Sequence, residues 1–274
     1  MFRSPPFDQA HGLRRLFAHA QVRFVPVVSN PHVAFGGLML ERLCRGFTER
    51  GIQTLVVDSS ENAALPGDMA LLDLAECIEP LSAEVSYLAA RGLPTKFVDA
   101  TGSTRSFMRA VAAASPSSQI VLVHATPSEL CRLFSRRTQG HGGAADICPL
   151  LLADDRPASV THAYGAMKLL ALRADLRVHD LLLGAAASSP RAERIAVQIA
   201  VCADEFLGAV LRDWVHVDPA VDPSEPSTPA LRRWVDDCLQ PRDSELSAFD
   251  GESVELGFPH PGGTRFAASN RAFN

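Results

Sequence analysis

Short runs of consecutive apolar residues, Ile120-Val121-Leu122-Val123 and Leu181-Leu182-Leu183 among them, alternate along the chain with longer stretches of helical apolar spacing. A strand that is apolar at every position is buried on both faces, which requires helices packed on either side of the sheet. The pattern therefore predicts an α/β fold: a mainly parallel twisted sheet flanked by helices on both faces. Strands are expected at 23–28, 54–57, 96–98, 119–123, 148–153 and 178–183. Helices are expected over 37–50, with Leu40, Leu43, Cys44 and Phe47 on one face, and over 157–173, which opens on Pro157. A further helix is expected over 190–211, where Ile195, Ile199, Cys202, Phe206 and Val210 form one stripe.

A chain of 274 residues can close a core without covalent staples. The net charge of −5 excludes a large nucleic-acid footprint, because phosphate binding wants a basic surface. The 6 cysteines include no CxxC pair, a usage that fits reduced thiols in a cytoplasmic protein. The first thirty residues lack the unbroken apolar stretch of a signal peptide, and no run is long enough to span a bilayer. Three regions follow. Residues 1–21 hold a helix expected over 9–20, with Asp8 as N-cap and Leu13, Leu16 and Phe17 on one face. Residues 22–218 form the α/β domain. Residues 219–274 begin with a linker carrying Pro219, Pro223, Pro226 and Pro229, continue into a short helix over 230–239, and end in a tail expected to be disordered.

The turn after the first strand is where phosphate loops sit, because a helix N-terminus offers unpaired N–H groups and partial positive charge. It reads Ser29-Asn30-Pro31-His32-Val33-Ala34-Phe35-Gly36-Gly37. Here the chain resembles the MinD/ParA ATPases, and within them the flagellar number regulators FlhG (FleN), whose deviant Walker A loop is S-G-K-G-G-V-G-K-T. The stretch 156–170, from Arg156-Pro157 to Leu169-Leu170, is similar to the family's E-P-T-S-L-T-D-A-Y-A-L-I-K-L-L. There Tyr164 and Lys168 are read as packing and surface residues. The resemblance spans about residues 7–221.

Matched residue by residue, the resemblance implies a degenerate nucleotide loop. Pro31 stands where the family has its signature lysine, Gly36 where the phosphate-holding lysine would be, and Gly37 where the Mg²⁺-binding hydroxyl would be; Ser29 opens the loop. Proline also removes an N–H from the cradle, and Phe35 replaces a glycine that lets phosphate approach the backbone. On the second strand Asp58 persists, while Ser60 replaces the aspartate that positions the attacking water. His124 replaces the Walker B carboxylate, and Gly184 replaces an adenine-reading asparagine. Phosphoryl transfer depends on charge compensation that these replacements remove, so no bound cofactor and no ATP hydrolysis are expected.

Phe7-Asp8-Gln9-Ala10-His11-Gly12-Leu13-Arg14 resembles the D-Q-A-x-x-L-R motif that precedes the ATPase domain in FlhG proteins. The resemblance implies that Asp8, Gln9, Ala10, Leu13 and Arg14 bind an FlhF-type GTPase, with Gln9 reaching its active site and stimulating GTP hydrolysis. A short amphipathic helix can dock in a partner's groove, and a glutamine can orient water for phosphoryl transfer. The same residues could also form a terminal helix packed on its own domain.

The reading is thus a regulator of flagellar number and placement, at the cell pole, that binds FlhF and basal-body proteins without hydrolysing ATP. The alternatives are a weak ATP-binding MinD-type ATPase, or a pseudo-ATPase scaffold for another polar or envelope assembly such as cellulose synthesis. Without a bridging ATP, a monomer or an ATP-independent dimer is expected. His124 could pair with Asp58 or Asp99, though as a strand-end histidine it is read as a satisfied polar residue; Asp154-Asp155 reads as a solvated loop pair. The helix carrying Leu231, Trp234, Val235 and Leu239 is weakly amphipathic, and Asp236, Asp237 and its shortness argue against stable membrane binding.

Overall fold

The computed structural model of the chain describes residues 22–71, 73–100, 102–134, 147–186 and 188–240. The N-terminal helix expected over 9–20, with Asp8, Gln9, Ala10, Leu13 and Arg14, and the tail expected to be disordered lie outside the described residues.

One sheet organises the chain. In sequence order its strands are β1 (Arg23–Val28), β2 (Thr54–Ser59), β3 (Ile78–Pro80), β4 (Val85–Ala89), β5 (Ile120–Ala125), β6 (Leu150–Asp154), β7 (Val178–Gly184) and β8 (Val210–Val217). In space they form an 8-stranded sheet in the order β3-β4-β2-β5-β1-β6-β7-β8. Every pairing is parallel except β3 with β4. From central β1 the chain moves outward to β2 and β4, returns through β5, and continues on the other side through β6, β7 and β8. Such a reversal leaves a crevice beyond the carboxyl ends of the central strands.

The helices are α1 (Gly36–Thr48), α2 (Leu93–Lys96), α3 (Arg105–Ala114), α4 (Pro127–Phe134), α5 (Pro157–Ala174), α6 (Pro190–Leu207) and α7 (Pro229–Leu239). Both faces of the sheet are covered, as the unbroken apolar strands require. On one face Leu93, Phe107, Leu130, Phe134, Met167 and Ile199 from α2 to α6 pack against Leu55, Val121 and Leu183. On the other, Met39, Leu43 and Phe47 of α1 join Leu231, Trp234 and Val235 of α7 over Val27, Leu122 and Leu182. The family-like stretch behaves as read: Tyr164 packs against the first core and Lys168 is exposed.

Four sequence expectations are corrected. Residues 96–98 form no strand; Pro94 opens α2, and Phe97 turns inward to pack edge-on against Phe107 at 5.4 Å. The helix from Pro190 stops at Leu207 because Gly208 adopts a left-handed backbone (φ 55°), which glycine tolerates. Its buried face is Ala192, Ala196, Ile199, Ala203 and Leu207, leaving Phe206 71% exposed, and the residues after it form β8. The stretch expected as a linker from 218 to 229 is bound to the domain. Prolines in 218–229 leave carbonyls without internal partners, and arginines on α1 collect them. Arg45 donates to Pro223 O and Ser224 O, each at 2.6 Å, and Arg42 to Val221 O. Finally, α7 is strongly two-faced: Leu231, Trp234, Val235 and Cys238 are all buried in the domain's own core.

The approach of α7 to α1 is close enough that a Cβ on Gly46 would lie 3.0 Å from Val235 Cγ2. Arg50 closes the contact with a two-pronged pair to Asp236, at 2.6 and 2.7 Å. All 6 cysteines are free thiols. Burial pushes the thiols of Cys44 and Cys131 up, to about 12 and about 11.

His179, at the start of β7, is 0% exposed. Burial lowers its pKa from the ordinary 6.5 to about 4, against the opposing pull of the Leu176 backbone and the Asp180 charge. The unfolded chain therefore binds a proton between those values that the folded chain refuses. The sign follows: stability is intact above pH 6.5 and falls as pH drops toward 4, by up to about 3 kcal/mol from this group. Urea midpoints at pH 7.5 and 4.5 should converge in a His179→Leu protein relative to the original.

Candidate functional site

Beyond the carboxyl ends of β1, β2 and β5 lies an open cleft of about 710 Å³. Its walls include Ser29, Asn30, Pro31, Gly36, Gly37, Asp58, Ser60, Glu61, His124, Thr126 and His162, so the structure brings the β1–α1 turn residues together with Asp58 and His124. Among the described residues the cleft lining holds no lysine or arginine, and its formal charges are the carboxylates of Asp58 and Glu61.

The β1–α1 turn is held from within. Asn30 is buried, and its side-chain amide donates to Leu152 O at 2.8 Å and to Ser159 O at 2.9 Å. Its Oδ1 accepts the His32 N–H at 3.1 Å, and its carbonyl accepts the Val33 N–H at 3.2 Å. The Ala34 N–H donates to Asp154 Oδ2 at 3.0 Å. Arg156 donates to the same oxygen at 2.9 Å and also to His32 O. Pro31 has no N–H to offer. A phosphate cradle is a turn whose N–H groups point at an anion; here His32, Val33 and Ala34 already spend theirs on the protein itself. Asp154 is thus buried and structural, correcting the reading of a solvated pair; its neighbour Asp155 is exposed. Burial pushes the Asp154 carboxyl up, but bonds from Arg156 and Ala34 outweigh it and hold it below the ordinary carboxylate value.

Of the two partners open to His124, the fold selects Asp58. The two are register partners on adjacent parallel strands, at the same height and on the same face. His124 Nδ1 lies 2.9 Å from Asp58 Oδ1, which also accepts the Ser60 N–H at 3.1 Å, and Tyr87 Oη donates to Asp58 Oδ2 at 3.4 Å. Burial raises the Asp58 carboxyl, yet the bond and charge of His124 and the Ser60 contacts win, so its pKa lies below the ordinary value. Burial and the Asp58 charge push the Tyr87 hydroxyl up to about 12. In a neutral imidazole, an ionised Asp58 favours the tautomer with the proton on Nδ1, which makes Nε2 the acceptor. No hydroxyl or thiol among the described residues bonds to His124, so the pair lacks the attached nucleophile of a hydrolytic triad. Asp99 instead accepts the Ser103 N–H at 2.9 Å.

Two further features escape sequence reasoning. Ser59 donates to Glu129 on α4, whose carboxyl burial pushes up. At Gly184 an added Cβ would lie 3.2 Å from Met39 Sδ, so α1 sits where a side chain at the end of β7 would need room.

No family model and no curated protein matches the chain. Among solved structures, it is similar to the MinD cell division protein of Aquifex aeolicus, with 13% identity, a TM-score of 0.47, and 86% of this chain and 99% of that chain covered. A putative plasmid partition protein from Borrelia burgdorferi B31 bound to AMPPNP gives 6% identity and a TM-score of 0.47 over 83% of this chain and 99% of that one. Apo McdA from Cyanthece gives 12% identity and a TM-score of 0.44 over 83% and 95%. Likenesses of this size fix neither a family nor an activity.

Proposed function

We propose that this chain is a MinD/ParA-type regulator of the FlhG kind that acts by binding and does not hydrolyse ATP. In this reading the segment Asp8-Gln9-Ala10-x-x-Leu13-Arg14 contacts an FlhF-type GTPase. The observation that carries the first half is the β1–α1 turn, whose His32, Val33 and Ala34 N–H groups are taken by Asn30 and Asp154. A triphosphate entering the cleft would meet Asp58 and Glu61 without a lysine or arginine in the lining to compensate its charge. Asp58, the carboxylate retained from the motif, is committed to His124 and Tyr87. The second half is supported by the D-Q-A-x-x-L-R resemblance, kept beside a nucleotide loop that is not.

Two measurements test the halves separately. Titration calorimetry with Mg-ATP should give no saturable heat; tight binding would overturn the first half. GTP turnover by the FlhF protein of the same cell should rise on adding the full chain, and Gln9→Ala should cut that stimulation about tenfold or more. Equal stimulation by the Gln9→Ala protein would remove the role given to Gln9, and none by the original would remove FlhF as the partner.

A further inference from the structure

The outward face of α6 carries a row of exposed residues opposite its buried alanines: Pro190, Arg194, Val197, Val201, Asp204 and Gly208, the last being the cap. Val197 is 53% and Val201 43% exposed, large values for branched apolar side chains in mid-helix. The row is a palindrome about Ile199. Turned end for end, Arg194 falls on Asp204, Val197 on Val201, and Pro190 on Gly208. A surface that matches its own reversed copy is what a two-fold axis requires.

The charges add an independent argument. A helix favours acidic groups near its N-terminus and basic ones near its C-terminus. Here Arg191 and Arg194 flank Glu193 in the N-terminal part, whereas Asp204 and Glu205 lie at the end, with no basic residue in the last turn. Among the described residues neither Arg194 nor Asp204 has an ion-pair partner; Arg194 Nε donates only to its own helix, to Pro190 O at 3.2 Å. A second α6 laid antiparallel would place each Arg194 against the other's carboxylate and carbonyl-rich end, and the apolar pairs at the centre.

We propose that α6 is a docking surface for a second copy of this chain, forming an antiparallel, nucleotide-independent dimer through Arg194–Asp204 and Val197–Val201 contacts across a two-fold axis. An 18-residue helix is about 27 Å long, and one helix pair buries less than the ~1,200 Å² of a standard interface. The dimer is therefore weak and depends on protein concentration. It does not use the cleft, so it stands whether or not the proposed function holds.

The test is sedimentation equilibrium on the full chain without nucleotide, over about 1–300 µM, the range where weak dimers titrate. The average mass should climb from 29.4 kDa toward twice that value. Arg194→Asp or Asp204→Arg turns both symmetric pairs repulsive and should weaken association about tenfold or more. The double variant Arg194→Asp/Asp204→Arg should regain it, and Val201→Lys should lose it independently. All these side chains are exposed, so unchanged far-ultraviolet circular dichroism is the fold control. A mass fixed at 29.4 kDa, a dimer that forms only with Mg-ATP, or a double variant as weak as the singles would overturn the proposal.

Discussion

Replacing Trp234 with alanine should lower folding stability by about 3–5 kcal/mol, the range for deleting a large buried aromatic. Trp234 is 2% exposed and meets Phe47 of α1 edge-on, with ring centroids 6.2 Å apart. It is the bulkiest side chain in the core beneath α7 and the residue by which that helix is anchored. Its loss opens a cavity between α7 and the sheet that Gly46 and Val235, already in close contact, cannot collapse to fill. Urea unfolding followed by circular dichroism gives the number, and Trp234→Phe divides it. Phenylalanine keeps most of the ring volume but forfeits the indole N–H, so its cost should be nearer 1–2 kcal/mol. A Trp234→Ala protein within 1 kcal/mol (about one hydrogen bond) of the original would mean that α7 is not part of the cooperative unit.

The second large effect belongs to the acceptor of that N–H. Asp180 is 1% exposed in the middle of the fold, and Trp234 Nε1 donates to its Oδ2 at 2.8 Å. Arg212 of β8 grips both of its oxygens, Nε reaching Oδ1 at 3.0 Å. Taking the carboxylate away strands a guanidinium and an indole N–H at once. Removing one member of a buried pair costs about 3–5 kcal/mol, and because Arg212 is partly exposed, Asp180→Ala is expected near 3. Asp180→Asn should be milder, since its amide oxygen still accepts from Trp234. Trp234→Phe and Asp180→Ala remove the same bond, so their effects in one protein should sum to less than the separate costs. Additivity in that double-mutant cycle would contradict the bond.

The sheet was legible in the sequence where burial made it legible. Strands β1, β2, β5, β6 and β7 are largely buried, and each carries a run of consecutive apolar residues, so their positions follow. The edges were not. β4, flanked on its outer side by the three-residue edge strand β3, is only half-buried and reads Val-Ser-Tyr-Leu-Ala, and edge strand β8 carries Arg212, Asp213 and His216 among its valines. α7 was underestimated for a related reason: Asp236 and Asp237 dilute its composition, yet Asp236 is the partner of Arg50 and not a sign of a solvated helix.

The site divides in the same way. That the turn 29–37 lacks lysines could be read off directly, and Pro31 announced a missing N–H. That Asn30 and Asp154 engage the N–H groups of His32, Val33 and Ala34 could not, because Ala34 meets Asp154 across 120 residues and Asn30 is itself fixed by Leu152 and Ser159, 122 and 129 residues on. The His124–Asp58 contact is a matter of strand register, which no local pattern encodes.

The inward bracing of the β1–α1 turn also bears on how such a protein could change over generations. Placing a single lysine at position 36 would add one charge while His32, Val33 and Ala34 stayed tied to Asn30 and Asp154. Freeing the His32 and Ala34 groups means altering Asn30 or Asp154, and each loss would orphan buried polar partners before any new ligand arrived to compensate. Every single substitution that frees the turn thus costs stability first, so its shape is protected against one-step change.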